Sequence, residues 1–151
     1  MRRSSNTRFY TLKHFGSKFE FERQRNDDLY LAYRNAISNC RHIYANDLYV
    51  RIVNSPSVRF WVSEERAAIV ISKILKGDKL LDMRPLKREM FMAVFDAFCK
   101  LREQFPDRNI SELAFFAVRQ PAPKFYLTPG SAKVIICRIR KQWRNMRKRK
   151  Y

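Results

Sequence analysis

The feature that most constrains the fold of this chain is an internal repeat. When the sequence is shifted by 65 residues, residues 45–75 align with residues 110–140. The best-matched stretches are VNSPSVRFWVSEERAAIVISKI, from Val53, and VRQPAPKFYLTPGSAKVIICRI, from Val118. Seven aligned positions are identical: Leu48/Leu113, Val53/Val118, Pro56/Pro121, Phe60/Phe125, Ala67/Ala132, Ile71/Ile136 and Ile74/Ile139. Self-similarity at a fixed spacing indicates that one structural plan is used twice.

Each copy of the repeat predicts three helices. Apolar residues recur at helical spacing in residues 27–40, 47–53 and 64–75 of the first copy, and in 85–103, 111–118 and 129–147 of the second. Pro85 and Pro129 suit the first turn of a helix, where a missing N–H is tolerated. Ser63, Asn109 and Thr128 suit the N-cap position, because their side chains accept hydrogen bonds from the first free backbone N–H groups.

A short extended run precedes each third helix. These runs occupy residues 59–62 and 124–127, and their aromatic and β-branched side chains favour extended backbone. Phe60 and Phe125 are predicted to anchor the core, whereas Trp61 and Tyr126 point to the other side and are predicted to be half exposed. The repeat also allows the two runs to pair as a small ribbon across a pseudo-twofold axis.

The resulting fold class is mainly α. Three helices with a turn before the last form the plan of helix-turn-helix and homeodomain-like modules. The chain is predicted to hold two such trihelical repeats in tandem, at 26–78 and 79–140. A basic aromatic N-terminal arm at 1–25 precedes them, and a basic tail at 141–151 continues the last helix. The nine residues 54–62 that separate the second and third helices exceed the three or four of a compact helix-turn-helix.

Positive charge is concentrated at the two ends of the sequence. The net charge is +18, and 13 of these charges lie in residues 1–25 and 138–151, whereas the central part is nearly balanced. Excess charge of one sign causes self-repulsion, and a polyanionic partner offsets it because each Lys or Arg on a phosphate releases a counterion. The sequence therefore predicts a nucleic-acid partner rather than merely solubilising tails.

The last helix is the main candidate for the nucleic-acid contact. Its apolar residues form one face, predicted to dock on the body, and its other faces are basic. The residues of the apolar face are Ala132, Ile135, Ile136, Ile139, Trp143 and Met146. Outside the helix, Arg59 and Lys124 are placed to reach a backbone phosphate. The full predicted nucleic-acid-binding set is Arg2, Arg3, Arg8, Arg59, Lys124, Lys133, Arg138, Arg140, Lys141, Arg144, Arg147 and Lys148.

The roles of the N-terminal arm and of the third helix of the first copy are left open by the sequence. The N-terminal arm carries arginines among aromatic residues, which suits a DNA minor groove or stacking on single-stranded bases, but its aromatics could equally pack on the body. In the first copy, Glu64 and Glu65 begin the third helix and would repel phosphates. That copy is therefore predicted to be scaffold, a surface for a protein partner, or a homodimer element.

The sequence predicts no enzyme, cofactor or metal site. His14 and His42 are the only histidines, and the chain lacks a glycine-rich phosphate loop. Cys40, Cys99 and Cys137 are odd in number and widely spaced, which favours free thiols in a reducing compartment. The longest apolar runs are far too short to span a bilayer, and no membrane partner is predicted. Cytoplasmic location follows, nucleoid-associated if the ligand is DNA.

The predicted function is DNA binding through helix-turn-helix-like modules. The chain would serve as a transcription regulator, a chromosome-associated protein or an accessory factor of a mobile element. An RNA-binding or ribosome-associated protein is the first alternative, since a basic helix and arm suit an RNA surface equally well. A protein-interaction adapter for an acidic partner is the second.

Overall fold

The chain is mainly helical, as the sequence predicts. The computed structural model describes residues 5–39 and 45–149, and the side chains of the first helix from residue 21 onward. The described helices are α1 (Ser5–Ser38), α2 (Ala45–Val53), α3 (Glu64–Leu75), α4 (Pro85–Gln104), α5 (Ile110–Val118) and α6 (Pro129–Arg149). Over these residues no strand forms, and no helix combines the length and the apolar character needed to cross a membrane.

The predicted helix starts are confirmed by their capping hydrogen bonds. The Ser63 hydroxyl accepts from the N–H of Arg66 at 3.2 Å. The Asn109 amide oxygen accepts from Glu112 at 2.9 Å, and the Thr128 hydroxyl accepts from Ser131 at 3.1 Å. Each bond satisfies a backbone N–H of the first helical turn, which has no carbonyl partner within the helix.

The first helix differs most from its predicted bounds. It was expected over residues 27–40, but α1 begins at Ser5 and so runs through most of the segment expected to be an arm. Residues 5–26 contain no proline and only one glycine, so nothing in them breaks a helix. The other five helices begin and end within two residues of the prediction.

The two copies of the repeat meet at an antiparallel bridge between Ser57 and Ala122. The N–H of Ser57 donates to the carbonyl of Ala122 at 2.9 Å, and the N–H of Ala122 donates to the carbonyl of Ser57 at 3.0 Å. Two flanking bonds, both of 2.9 Å, run from Phe60 N–H to Val118 O and from Phe125 N–H to Val53 O. The 65-residue shift relates Ser57 to Ala122, and it relates the Phe60–Val118 bond to the Phe125–Val53 bond. The bridge therefore lies on the pseudo-twofold axis that the repeat implies. The pairing is a single bridge rather than a longer ribbon.

Beyond the bridge, the third helices of the two copies are exchanged. Helix α3 packs against α4 and α5, and α6 packs against α1 and α2. One apolar cluster therefore joins Phe60, Val70 and Ile71 of the first copy to Phe91 and Phe98 of the second. The other cluster joins Leu29, Tyr33 and Ile52 of the first copy to Phe125, Ala132 and Ile136 of the second. Each bundle thus takes its third helix from the other copy, whereas the sequence predicted bundles of α1–α3 and α4–α6.

One carboxylate fixes the bridge to α1. The Oδ2 atom of Asp28 accepts from the Ser57 hydroxyl at 2.8 Å, from the Val58 N–H at 3.1 Å and from the Trp61 indole at 3.3 Å. Ser57 is buried, so its hydroxyl depends on partners within the protein. The position that corresponds to Asp28 in the second copy is Ala93, so this anchor exists on one side of the axis only.

Replacing this carboxylate is expected to destabilise the fold. The change Asp28→Ala removes the charged acceptor of three hydrogen bonds, although the Ser57 hydroxyl keeps the Arg59 carbonyl and the Trp61 indole keeps the Ser57 hydroxyl as partners. Loss of hydrogen bonds to a charged acceptor costs about 1–3 kcal/mol of the free energy of unfolding. Denaturant unfolding followed by circular dichroism measures this loss. The matched control is Asp27→Ala, an exposed neighbour on α1, which should change the stability by less than about 0.5 kcal/mol. Equal effects of the two substitutions would show that Asp28 does not anchor the bridge.

Candidate nucleic-acid interface

The strongest concentration of one charge in the described chain is on α6. This helix carries eight lysines and arginines and no acidic residue over 21 residues. Its N-terminal half is docked, because Ala132 and Ile136 are buried and Ile135 and Ile139 are partly buried against α1 and α2. These aliphatic contacts fix the direction in which the charged half points.

The C-terminal half of α6, residues 140–149, is exposed to solvent, and we call it the free half. All residues from 140 to 149 are exposed, a length of about 15 Å of helix. Trp143 and Met146, expected to continue the docked face, are 55% and 60% exposed. The expectation for these two residues is therefore wrong. Helix α2, one of the two helices on which α6 packs, has nine residues and extends for only about 14 Å, less than half the length of α6.

Two flanks of α6 differ in chemistry. At about 100° per residue, Lys133, Arg140, Arg144 and Arg147 fall on one side of the docked face and form what we call the basic flank. On the other side fall Arg138, Gln142, Asn145 and Arg149, which we call the amide flank. Lys141 and Lys148 lie between the two flanks, opposite the docked face. All ten side chains are exposed.

The basic flank lies beside α1. The guanidinium of Arg140 is 6.0 Å from the ring centroid of Tyr33, a buried residue of that helix. On the same side, burial raises the pKa of the Tyr49 hydroxyl on α2, and the adjacent Cys137 of α6 adds to the increase. The amide flank therefore points away from the surface formed by these residues of α1 and α2. The predicted binding residues of α6 are thus brought together on one helix, whereas Gln142, Asn145 and Arg149 were not predicted.

Arg59 is held within the protein. Its Nε donates to the carbonyl of Phe60 at 3.0 Å and its Nη2 to that of Val62 at 3.1 Å. The guanidinium also lies 5.3 Å from the ring centroids of Phe21 and Trp61. Burial lowers the pKa of Arg59, and the positive charge of Arg119 lowers it further. A phosphate contact by Arg59 stays a prediction, and it requires this side chain to leave its internal partners.

Lys124 is also engaged by neighbouring side chains. Its ammonium group forms an ion pair with Glu89 of α4 and lies 5.5 Å from the ring centroid of Tyr126. The Lys124 side chain is 25% exposed. Lys124 and Arg59 both lie outside α6, each two residues after a partner of the bridge between Ser57 and Ala122. Of the N-terminal candidates, Arg2 and Arg3 lie outside the described residues, and Arg8 falls in α1 where the side chains are not described.

The counterpart of α6 in the first copy has a different charge. Helix α3 begins with Glu64 and Glu65 and carries only Arg66 and Lys73 as basic residues, so its charges balance. Glu64 is 3.7 Å from the guanidinium of Arg119 on the far side of the bridge. The two third helices therefore do not offer equivalent surfaces to a polyanion, and the basic interface lies on one side of the pseudo-twofold axis.

The described part of the chain also contains a hollow of about 540 Å³. It lies between α4 and the segment that holds Pro121 and Pro123, and its polar groups belong to Asp96, Lys100, Gln104 and Gln120. This lining contains one carboxylate and one amine, and neither histidine nor cysteine. Among the side chains that the structure describes, at 21–39 and 47–149, no group of three or more His, Cys, Asp or Glu could hold a metal ion.

The free half of α6 is accordingly the surface with the clearest chemical preference, which is for an extended anion. Comparison with known protein families, with curated proteins and with solved structures finds no match to this chain.

Proposed function

We propose that this protein binds nucleic acid, and specifically double-stranded DNA, through helix α6. The single observation that carries the proposal is the free half of this helix, where residues 140–149 include Lys or Arg at six positions and no acid, and all are exposed. Phosphate neutralisation by such a helix releases counterions and supplies most of the binding free energy at low salt.

The shape of α6 favours duplex DNA. An α-helix with its side chains is about 10–12 Å across, which matches the major groove of about 12 Å. A recognition helix enters the groove with a face that its own domain leaves uncovered, and the last ten residues of α6 are all exposed. Within the proposal, the two copies are diverged helix-turn-helix-like modules whose third helices are exchanged, and α6 is the one that contacts DNA.

The remaining parts of the proposal concern role and location. A DNA-binding protein of this size would act as a transcription regulator, a chromosome-associated protein or a mobile-element accessory factor, without catalysis of its own and located in the cytoplasm at the nucleoid. The surface of α3, whose acidic and basic residues are equal in number, would bind a protein partner or a second copy of the chain.

RNA is the second candidate ligand, and one observation favours it. Trp143 is exposed on the free half of α6 and is adjacent in sequence to Arg144, with Arg140 and Arg147 within one or two helical turns. Exposed aromatic rings next to cations stack on unpaired bases, which single strands and RNA loops offer and duplex DNA does not.

Binding of the purified chain to duplex DNA, single-stranded DNA and a structured RNA separates these candidates. Affinities are measured by fluorescence anisotropy at about 50–200 mM salt. We expect the tightest binding to the duplex, with a steep decrease in affinity as salt rises. Tighter binding to RNA or to the single strand would replace DNA by that ligand. Absence of binding to all three near physiological salt would reject the proposal and leave an acidic protein or a membrane surface as the partner.

A further inference from the structure

We infer that the amide flank of α6 reads base edges in the major groove, so that the protein prefers a particular DNA sequence. The inference rests on the proposed function and deepens it. The flank consists of Arg138, Gln142, Asn145 and Arg149, whose spacings of four, three and four residues place them on one side of the helix. They extend over about 17 Å of helix, and all four side chains are exposed.

The residue types on this flank are those that identify bases. Arginine pairs with the O6 and N7 atoms of guanine through two hydrogen bonds, and asparagine or glutamine pairs likewise with the N6 and N7 atoms of adenine. A lysine, which makes a point contact with phosphate, is missing from this set of four, whereas the three lysines of the described helix lie on the basic flank or opposite the docked face.

The two amides are the informative members. Residues 140–149 contain four uncharged side chains, of which Trp143 and Met146 continue the apolar stripe of the docked face. The other two, Gln142 and Asn145, both fall between the arginines of the amide flank. An uncharged amide releases no counterion, so a helix that served only as a polycation would gain nothing from them. Amides between two arginines instead provide donors and acceptors for base edges.

The neighbouring charges suit the walls of the groove. Lys141 and Lys148 adjoin the amide flank on the side opposite the docked face. With the amide flank toward the floor of the groove, these two lysines point toward the phosphates that border it. Phosphate contacts of this kind set the position of a helix, and base contacts then set its sequence preference.

The expected target is short and lacks twofold symmetry. A helix segment of about 17 Å spans at most about five base pairs of 3.4 Å rise. The third helix of the other copy, α3, begins with Glu64 and Glu65 and does not supply a matching half-site. We therefore expect a single recognition site, in which α6 contacts guanine and adenine bases, rather than a palindrome of two half-sites.

Selection of bound duplexes from a random library by the full chain tests the inference. We expect a consensus of a few base pairs that the protein binds at least about tenfold more tightly than a scrambled duplex of equal composition. Methylation of guanine N7 in that duplex blocks a major-groove acceptor and should weaken binding about tenfold or more. A random outcome of the selection, or full binding to the methylated duplex, would overturn the inference.

Paired variants then assign the preference to the amide flank. The double substitution Gln142→Ala and Asn145→Ala should remove most of the preference for the consensus and leave the salt dependence unchanged, because no charge is lost. The matched variant Arg144→Ala on the basic flank should weaken both duplexes by the same factor and reduce the salt slope by about one. Circular dichroism checks that both variants keep the fold.

The outcomes separate this inference from the proposed function. If the double variant keeps the full preference of the natural chain, the amide flank does not read bases, although DNA binding itself stands. If the protein binds duplexes of every sequence equally, the inference fails in the same way. If the protein binds no duplex at all, the proposed function fails, and the inference fails with it.

Discussion

Removal of residues 141–151 is expected to weaken binding to duplex DNA by about tenfold or more near physiological salt. The deletion takes away six basic residues: Lys141, Arg144, Arg147, Lys148, Arg149 and Lys150. If all six contact phosphates, the slope of the logarithm of affinity against that of salt flattens by about five. Fluorescence anisotropy across a salt series measures both quantities. The fold should survive, because the described part of the deleted segment is exposed and docking ends at Ile139.

A charge-only variant serves as the control for this deletion. Replacing Lys141, Arg144, Arg147 and Lys148 by glutamine keeps the length and the helix propensity of the tail. Because this variant loses four of the six charges, we expect it to show about two thirds of the decrease in salt slope that the deletion shows, with a correspondingly smaller loss of affinity. The change Trp143→Ala keeps every charge and should leave duplex binding within about twofold. Unchanged affinity and slope after the deletion would mean that the tail does not contact the nucleic acid.

Local structure in this protein could be predicted well because its signals act over a few residues. Each N-cap side chain accepts a hydrogen bond from the backbone N–H three residues later, so both partners are close together in the sequence. This holds for Ser63, Asn109 and Thr128. The burial of Phe60 and Phe125, each 3% exposed, also followed from the repeat. Since both lie in equivalent extended runs, a repeated aromatic residue there indicates an equivalent place in the core.

The exchange of the third helices could not be predicted from the same signals. Ala67 and Ile71 of α3 correspond to Ala132 and Ile136 of α6, so the two helices present nearly the same apolar face. Either face therefore fits either pair of partner helices. The choice depends on the path of residues 54–62 and of their counterparts through the bridge, and no local pattern records that path.

The exposure of residues on α6 could also be predicted only in part. Periodicity placed Trp143 and Met146 on the apolar face of α6, and the structure keeps them in line with Ile136 and Ile139. Whether a residue on such a face is covered depends on the path and extent of both partner helices, α1 and α2, and the periodicity within α6 does not record them. A pattern of charge indicates only lysine and arginine, so it carries no signal for Gln142 and Asn145, although their spacing is present in the sequence.

Separation of the two copies of the repeat is expected to abolish folding of each half as a monomer. A fragment of residues 1–78 retains Leu29 and Ile52 but lacks Phe125 and Ile136, which complete that apolar cluster. Residues 79–151 lack α3 in the same way. Each lost Ile or Phe contributes about 1.5–3 kcal/mol of burial, and whole domains are stable by only about 5–15 kcal/mol. Thermal unfolding followed by circular dichroism, with light scattering for the molecular mass, measures the outcome.

The control for this experiment keeps both halves but breaks the connection between them. A protease site inserted between Asp78 and Lys79, in the exposed segment after α3, allows the folded chain to be cut. Because α3 and α6 each pack on the other half, the cut protein should stay together as a one-to-one complex that unfolds cooperatively. Mixing the separate fragments should restore the same complex. A half that is monomeric and unfolds cooperatively by itself would show that its third helix packs on its own copy, and the exchange would then be wrong.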